Sequence, residues 1–520
     1  MKRILVFIAV VLPVITFAQS NDLYFTKGVE LFGNKDYKGA LEYFTKEIDL
    51  NSSNLAAYNY KGVILIQLGD FPGAIDVFTK QIALNPGDDL AYSNRAFAKG
   101  NIKDFKGALA DCDKAIAINP KSVKAYTNRG NSKNEMGDYT GAIQDFNKII
   151  EIDPSDPVGY TNRGNSKNGM ADFKGALEDL NKALELDNKI PEAYLDRGIA
   201  KGKLKDGYGA IDDFKKAIEL NPDLPEAYFF RGMQKCNLDN FGDAIGDFDK
   251  AISINPKYAE ALTLRGEANS KLGNYGAADV DLTKAISLNA ENPEAFYYKG
   301  VIEVKQSEND QAIKDFSKAI SLKNDFAEAF HDRGLTKQSL NDYLGAVNDL
   351  SRAIIINPSY ASAYRNRALS RLPLNQRNEA LADLNKAIVL DPDDAISYFY
   401  RAAVYFDSRT FTPAIADLDK AITGNFNLPY SYPMRAFAYT QLKNYPKALA
   451  DFSKALELNP SNSGIYLRRG WVYFDMNNKA AAKADWTKAA AMGDREAANL
   501  VRFPPKKPKP TPSGWVVWKK

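Results

Sequence analysis

The sequence repeats itself every 34 residues, and this periodicity constrains the fold more than any other feature. An alanine occupies the same place in fourteen successive steps of 34 residues, without one insertion or deletion. The column consists of Ala40, Ala74, Ala108, Ala142, Ala176, Ala210, Ala244, Ala278, Ala312, Ala346, Ala380, Ala414, Ala448 and Ala482. A fixed period of this length is typical of tandem arrays in which each unit packs on the next. The chain of 520 residues is therefore predicted to form one array and not several unrelated domains.

Three further columns indicate what the repeating unit is. Gly130 stands in a column of ten glycines and four alanines, and Tyr126 stands in a column that is aromatic except at Leu262. Phe146, four residues after Ala142, stands in a column of Phe, Leu, Cys or Trp. Residues four apart share one face of a helix, so small and large side chains on two helices would interlock. A proline after the second helix should end it. These prolines are Pro86, Pro120, Pro154, Pro222, Pro256, Pro358, Pro392 and Pro460.

This pattern resembles the tetratricopeptide repeat family, whose unit of 34 residues is a helix–turn–helix. The resemblance covers residues 21–496. It implies an all-α fold, a right-handed superhelical solenoid of about fourteen tandem repeats with a concave groove lined mainly by the first helices. The predicted repeats are 21–54, 55–88, 89–122, 123–156, 157–190, 191–224, 225–258, 259–292, 293–326, 327–360, 361–394, 395–428, 429–462 and 463–496. A capping helix is expected to end at 497–503.

Two places depart from the regular pattern. Pro373 falls inside a first helix and should end that helix early. After Thr423 the segment "GNFNLPYSYP" lacks the usual proline spacing, which predicts a local bend near residues 423–433.

The two ends of the chain differ from the array in composition. Residues 1–18 have Lys2 and Arg3, an apolar run and then Ala18, the layout of a cleaved secretory signal peptide. The alternative is a membrane anchor, but the run falls short of the roughly 20 residues that a spanning helix needs. We therefore expect an exported protein, periplasmic, or alternatively secreted or attached to the cell surface. Residues 504–520 are rich in Pro and Lys and should be flexible. Three alternatives stay open for this tail: weak contact with a surface, docking onto its own chain, or no role.

The charge distribution argues against nucleic acid as a partner. The formal net charge is +3, yet seven basic residues lie in the leader and the tail, so the array between them is mildly acidic. A nucleic-acid-binding protein would need a basic stripe. One column is basic in every repeat, with Arg129 as its example, and the Asp145 column is acidic in twelve repeats. Because the two columns change nearly together, they predict a structural Arg–carboxylate pair, with an anion-binding stripe as the alternative.

Asparagines form the first candidate binding site. The nine residues "YTNRGNSKN" occur twice, at 126–134 and 160–168. In the tetratricopeptide repeat family these positions line the groove, and some members use an asparagine ladder to hold a peptide backbone. The resemblance therefore implies protein or peptide binding through Asn94, Asn128, Asn131, Asn134, Asn162, Asn165 and Asn168. Recent duplication of one repeat explains the same identity equally well.

Large apolar residues take over the groove positions toward the end of the array. They predict a second candidate binding patch at Phe406, Phe437, Trp471 and Phe474, because an apolar wall that faces water marks a binding surface. A tighter superhelix or a folded-back tail would instead cover these residues.

The sequence offers no catalytic, metal or cofactor motif. His331 is the one histidine, and Cys112 and Cys236 are expected to be small buried residues. The predicted function is a noncatalytic exported scaffold for protein or peptide partners. One alternative is a protein that binds a cell-envelope polymer such as a glycan or peptidoglycan. Another is a co-chaperone-like adaptor, for which Lys124 supplies only part of the required basic set.

Overall fold

The computed structural model describes residues 23–505, and within them the regular secondary structure is entirely helical. The predicted leader 1–18 and residues 506–520 of the predicted tail lie outside the described residues. The chain divides into two compact units, Met1–Pro256 and Lys257–Lys520. The all-α class and the helix–turn–helix unit are confirmed.

The first unit contains fourteen helices among its described residues. They are α1 Leu23–Gly33, α2 Tyr37–Leu50, α3 Leu55–Gln67, α4 Phe71–Leu84, α5 Asp89–Asn101, α6 Phe105–Ile118, α7 Val123–Glu135, α8 Tyr139–Ile152, α9 Pro157–Gly169, α10 Phe173–Leu186, α11 Pro191–Lys203, α12 Gly207–Leu220, α13 Pro225–Asn237 and α14 Phe241–Ile254. Each helix packs on the next, and each odd-numbered helix from α3 to α11 also contacts the next odd-numbered one. The odd-numbered helices, called first helices below, therefore form a continuous row from α3 to α13.

The second unit contains fifteen helices among its described residues. They are α15 Ala259–Lys271, α16 Tyr275–Leu288, α17 Pro293–Lys305, α18 Asn309–Leu322, α19 Ala327–Ser339, α20 Tyr343–Ile356, α21 Ala361–Arg371, α22 Arg377–Leu390, α23 Ala395–Asp407, α24 Phe411–Thr423, α25 Leu428–Gln441, α26 Tyr445–Leu458, α27 Ser463–Asp475, α28 Lys479–Ala491 and α29 Arg495–Arg502. α21 stops two residues short of the usual thirteen, which confirms the effect of Pro373. After α24 the backbone passes through two left-handed residues, Asn425 and Asn427.

An aspartate–glycine pair begins the second helix in many repeats. The Asp138 carboxylate caps α8 by accepting a hydrogen bond from the Gly141 backbone N–H at 2.9 Å. A Cβ on Gly141 would lie 2.2 Å from Asp138 Oδ2, so a larger residue there would force the carboxylate of the cap to shift. The same pair recurs at Asp36, Asp70, Asp104, Asp172, Asp206 and Asp342. This cap explains why the second helix of the repeat begins directly after the aspartate.

The core between the two helices of a repeat follows the small-and-large columns of the sequence. Every residue of the Ala142 column is fully buried, and so is Phe146. The Phe146 ring fills the space that a side chain at Gly130 would take, because a Cβ there would lie 2.6 Å from Phe146 Cζ. The close approach of α7 and α8 therefore depends on a glycine on one helix and an aromatic ring on the other.

Candidate functional site

A clamp of one arginine, one lysine and one aspartate joins the two helices of a repeat. Arg129 Nη2 on α7 lies 2.5 Å from Asp145 Oδ1 on α8, and Lys133 Nζ lies 2.8 Å from Asp145 Oδ2. Asp145 is only 2% exposed. The equivalent Arg–Asp pairs are Arg95–Asp111, Arg163–Asp179, Arg197–Asp213, Arg231–Asp247, Arg265–Asp281, Arg333–Asp349, Arg367–Asp383, Arg401–Asp417, Arg435–Asp451 and Arg469–Asp485. The predicted structural pairing is confirmed in these eleven repeats.

The arginine of the clamp is engaged by contacts within its own repeat. The hydrogen bonds that Arg401 donates to Asp417 are the main cause that raises the pKa of Arg401, so this guanidinium is held in its charged form. Arg129 also lies over the Tyr126 ring, with 5.4 Å between the guanidinium carbon and the ring centroid. Arginines that contact both an aspartate and an aromatic ring in this way stabilise the fold. The basic column is therefore not a binding stripe for an anionic ligand.

The ninth repeat breaks the pattern and corrects one expectation. Lys299 stands where eleven repeats have arginine, and the pairing of the two columns predicted Asp315 as its partner. Instead Lys299 Nζ lies 3.0 Å from Asp279 Oδ1 and 2.8 Å from Thr283 Oγ1, both on α16 of the preceding repeat. A lysine presents one compact charge and no fork, so it follows the better solvated carboxylate.

The candidate asparagines lie on the row of first helices in the first unit, and several bond directly to the neighbouring helix. Asn94 Nδ2 on α5 donates to Asn59 Oδ1 on α3 at 3.0 Å, and Lys124 Nζ on α7 donates to Asn94 Oδ1. Asn128 Nδ2 donates to the Ser93 carbonyl at 2.7 Å. Both Asn94 and Asn128 are buried. They connect α3, α5 and α7 and are thus part of the packing between repeats.

The series continues through α9 to α11. Ser166 Oγ on α9 donates to Asn134 Oδ1 on α7 at 2.9 Å. Asn165 Nδ2 and Asn168 Nδ2, also on α9, both donate to Asp196 on α11, at 3.0 Å to Oδ2 and 2.9 Å to the carbonyl oxygen. We call the bonds from Asn59 to Asp196 the amide ladder. It stabilises the register of five consecutive first helices, a role that composition alone could not reveal.

Two candidate amides are left over beside the ladder. Neither the Asn131 side chain on α7 nor the Asn162 side chain on α9 has a hydrogen-bond partner among residues 23–505. Asn131 is almost fully buried and Asn162 is half-buried. Asn128 and Asn168 each keep a side-chain oxygen that accepts no hydrogen bond within the described part of the chain. The Asn131 and Asn162 amides can still bond to a ligand backbone, since an amide both donates and accepts, whereas the two unbonded oxygens of Asn128 and Asn168 are buried.

The predicted apolar wall facing water is wrong for three of its four residues. Phe406, Phe437 and Phe474 are only 6%, 8% and 8% exposed. The Phe406 and Phe437 rings pack with centroids 5.2 Å apart, and half-buried Trp471 lies 5.2 Å from Trp486 and 5.9 Å from Phe474. The structure thus favours the tighter-packing alternative, because aromatic rings of neighbouring helices cover one another.

Lys124 is more important to the candidate site than the sequence alone indicated. Lys124 is a partly buried residue on α7, and among the described residues its hydrogen-bond partner is Asn94, with no carboxylate in ion-pair contact. Burial lowers its pKa to about 8. A signal existed, since a lysine stands here in a column that otherwise holds apolar, acidic or small residues. This cation lies within the amide ladder, so it adds one unbalanced positive charge to the candidate site.

His331 belongs to a buried network in the second unit. Its Nδ1 lies 2.8 Å from Asp332 Oδ1, and the Tyr297 hydroxyl donates to Asp332 Oδ2 at 2.8 Å. Asn366 Nδ2 lies 3.1 Å from His331 Nε2, which leaves Ser362 Oγ at 3.5 Å, too long for a strong hydrogen bond. The network joins α17, α19 and α21. Cys112 is buried and burial raises the pKa of its thiol to about 12, as suits a packing residue.

Family models match several parts of the chain. Models described as tetratricopeptide repeat match residues 25–89, 123–156, 191–224 and 259–292. A model described as the ETO1 C-terminal domain matches residues 328–478. The chain belongs to the tetratricopeptide repeat (TPR) family. TPR proteins bind protein or peptide partners and are typically noncatalytic scaffolds, so the repeats suggest a scaffold for protein–protein interaction.

Solved structures resemble this TPR protein at low sequence identity. The Cut9–Hcn1 hetero-tetramer of the APC/C is 14% identical with a TM-score of 0.46, covering 93% of this chain and 96% of that one. Yeast Tom70 is 17% identical with a TM-score of 0.38, covering 75% and 96%. A tetratricopeptide repeat protein from Parabacteroides merdae is 20% identical with a TM-score of 0.39, covering 49% and 97%. TM-scores below 0.5 carry no information about function. No curated protein sequence matches this chain.

None of the helices between residues 23 and 505 has both the length and the apolar character needed to span a membrane.

Proposed function

We propose that this TPR protein is a noncatalytic, exported scaffold that binds an extended peptide segment of a partner along α7 and α9. The observation that carries the proposal is the pair of amides, Asn131 and Asn162, that have no partner among the described residues. They lie on adjacent first helices, beside an amide ladder whose other members are engaged in bonds between repeats.

Backbone capture follows from the chemistry of these groups. An asparagine amide can donate to a peptide C=O and accept from a peptide N–H, so two of them hold an extended chain with little regard to its side chains. Neighbouring helices pack about 8–10 Å apart, which an extended chain crosses in about three residues. The amide ladder and the clamps of arginine, lysine and aspartate hold α7 and α9 in place before a ligand binds. Binding then costs less conformational entropy than it would on a mobile surface.

Lys124 favours a second candidate, the adaptor that captures an anionic peptide end. Its ammonium group on α7 donates a hydrogen bond to Asn94 on α5, and Asn128 follows on the same helix as Lys124. Among the described residues, no carboxylate neutralises this ammonium group. The carboxylate of a bound ligand would stabilise the charged form of the Lys124 ammonium group, which burial disfavours. In the adaptor, the bound peptide would end at α7. In the scaffold that captures a peptide backbone, the peptide would continue past α7 to α9.

Export is proposed from the leader sequence at residues 1–18, which lie outside the described residues. A charged start, an apolar run and a small residue support cleavage after Ala18 in the envelope of a bacterium, with the mature chain in the periplasm. Intact-mass measurement of the chain recovered from the periplasmic fraction tests this: retention of residues 1–18 would contradict it.

We expect the double variant Asn131→Ala/Asn162→Ala to bind its peptide at least about tenfold more weakly, because two hydrogen bonds to the ligand backbone are lost. A short peptide selected from a random library on the immobilised full chain is titrated by fluorescence anisotropy. N-methylation of the peptide backbone should weaken binding comparably, and the exposed Asn378→Ala serves as the matched control.

The same titration separates the two candidates. Equal affinity for N-methylated and unmodified peptide, or for the double variant and the original chain, would contradict backbone capture. A peptide whose affinity falls when its C-terminal carboxylate is replaced by an amide, and which is lost with Lys124→Met, would favour the adaptor.

A further inference from the structure

The ninth repeat holds two carboxyl groups where the tenth holds one carboxylate and two cations. Glu303 on α17 stands at the position of Lys133, and Lys299 stands at that of Arg129, while Asp315 on α18 keeps the aspartate of the clamp. Across the fourteen repeats, this is the one place where an acid occupies the lysine position. The joint between α17 and α18 therefore cannot be held together in the way that the others are.

Both acids are removed from water. Glu303 is 4% exposed and Asp315 is 8% exposed. Glu303 Oε2 and Asp315 Oδ2 are buried oxygens that accept no hydrogen bond from any group of residues 23–505. The nearest cation of the pair, Lys299, is engaged by Asp279 and Thr283 on α16. Two ionised carboxylates in this position would be both desolvated and mutually repelled.

A single proton resolves the conflict. When one carboxyl is protonated, its O–H donates to the other, and both orphaned oxygens are satisfied by one hydrogen bond. Burial raises the pKa of Glu303 to about 8, with the hydrogen bond and the charge of Asp315 next in importance. Lys299 opposes this rise and Glu308 in the following turn adds to it, but neither reverses the direction.

Within residues 23–505, the other helices packed on α17 and α18 present no free cation to the pair. On α19, Arg333 faces α18 through a bond to Ser317, but it is held by Asp349. On α15, Glu267 adds a further acid, whose pKa is raised by burial, and it bonds to Tyr298 on α17. The surroundings of the pair thus favour the neutral, protonated form of one carboxyl.

We propose that the ninth repeat is a proton-operated joint, in which a proton shared by Glu303 and Asp315 holds α17 against α18 and its loss loosens the pair. The joint works in the direction opposite to that of the clamps, which need their aspartates ionised. Lowering the pH below neutrality closes this joint, and raising the pH to about 8 and above opens it.

The sign follows from linkage between protonation and folding. The folded-state pKa of Glu303, about 8, lies above its ordinary value of 4.5. The contribution of the pair to stability is therefore fully present below pH 4.5 and is lost as the pH rises through 8. Beyond that midpoint, each further pH unit favours the open joint by up to about tenfold.

Hydrogen–deuterium exchange of the full chain between pH 6.5 and 9 tests the proposal, with rates corrected for the intrinsic effect of pH. We expect protection of the amides in α17 and α18 to fall by about tenfold between pH 7.5 and 9 in the original chain. In Glu303→Gln an amide replaces the protonated carboxyl, so protection should stay constant. The exposed Glu185→Gln is the matched control and should behave like the original chain.

A second variant keeps the test decisive if the glutamine variant folds poorly. Glu303→Lys restores the lysine of the ordinary clamp, so it should remove the pH dependence and raise protection at pH 9. Constant protection in the original chain, or an unchanged loss of protection in Glu303→Lys, would overturn the proposal. Infrared absorption of a protonated carboxyl at pH 6.5 that disappears in both Glu303 variants would support it directly, and its absence would count against it.

Discussion

Replacing Asp145 by alanine is expected to cost about 3–5 kcal/mol, because two cations then lose their shared counter-ion in a buried place. Asp145 Oδ1 lies 2.5 Å from Arg129 Nη2, and Asp145 Oδ2 lies 2.8 Å from Lys133 Nζ. Arg129 and Lys133 are about four-fifths buried and cannot be fully resolvated without separating α7 from α8. In a tandem array the loss is local, so the opening free energy of these two helices is the quantity to measure, by hydrogen exchange.

Asp113 provides the matched control on the same arginine. It lies 2.7 Å from Arg129 Nη1, almost as close as Asp145, but its side chain is 64% exposed. An exposed ion pair contributes about 1 kcal/mol at most, so Asp113→Ala should leave the exchange of α7 and α8 nearly unchanged. If the two alanine variants were equally destabilised, the distance between the charges and not the burial of Asp145 would determine the energy.

The clamp was predictable from the sequence because the repeats are an internal comparison. Two columns sixteen residues apart change nearly together, as Tyr43 and Val77 replace the aspartate in the first two repeats, where lysine replaces arginine. Covariation of this kind reports a contact without any knowledge of geometry. It failed at Lys299, since a column records residue types and not which of two carboxylates, Asp279 or Asp315, a flexible lysine will choose.

The amide ladder was out of reach for a different reason. Its bonds join residues 28–35 positions apart, which is almost one repeat, and each depends on the register between neighbouring first helices. The resemblance predicted which asparagines share a surface, but not that Asn94 and Asn128 are buried. The same limit explains the aromatic residues. Phe406 and Phe437 are on the predicted face, but a column cannot show that the ring in the next repeat covers them.

Replacing Phe146 by alanine is expected to be the second severe change, at about 3–5 kcal/mol, because a fully buried ring leaves a cavity between α7 and α8. The cavity would open beside Gly130, which has no side chain to move into it. Chemical denaturation followed by circular dichroism, together with the hydrogen exchange of these helices, measures the loss.

The array itself supplies the control for this change. Leucine occupies the Phe146 position in five repeats, and Leu180 is fully buried beside Gly164, where a Cβ would lie 2.7 Å from its Cγ. A leucine therefore fills most of the space that a glycine on the facing helix provides, and Phe146→Leu should cost about 1 kcal/mol. A leucine variant as unstable as the alanine variant would mean that the aromatic ring is needed for its contact with the Tyr126 side of the core, and not for its volume.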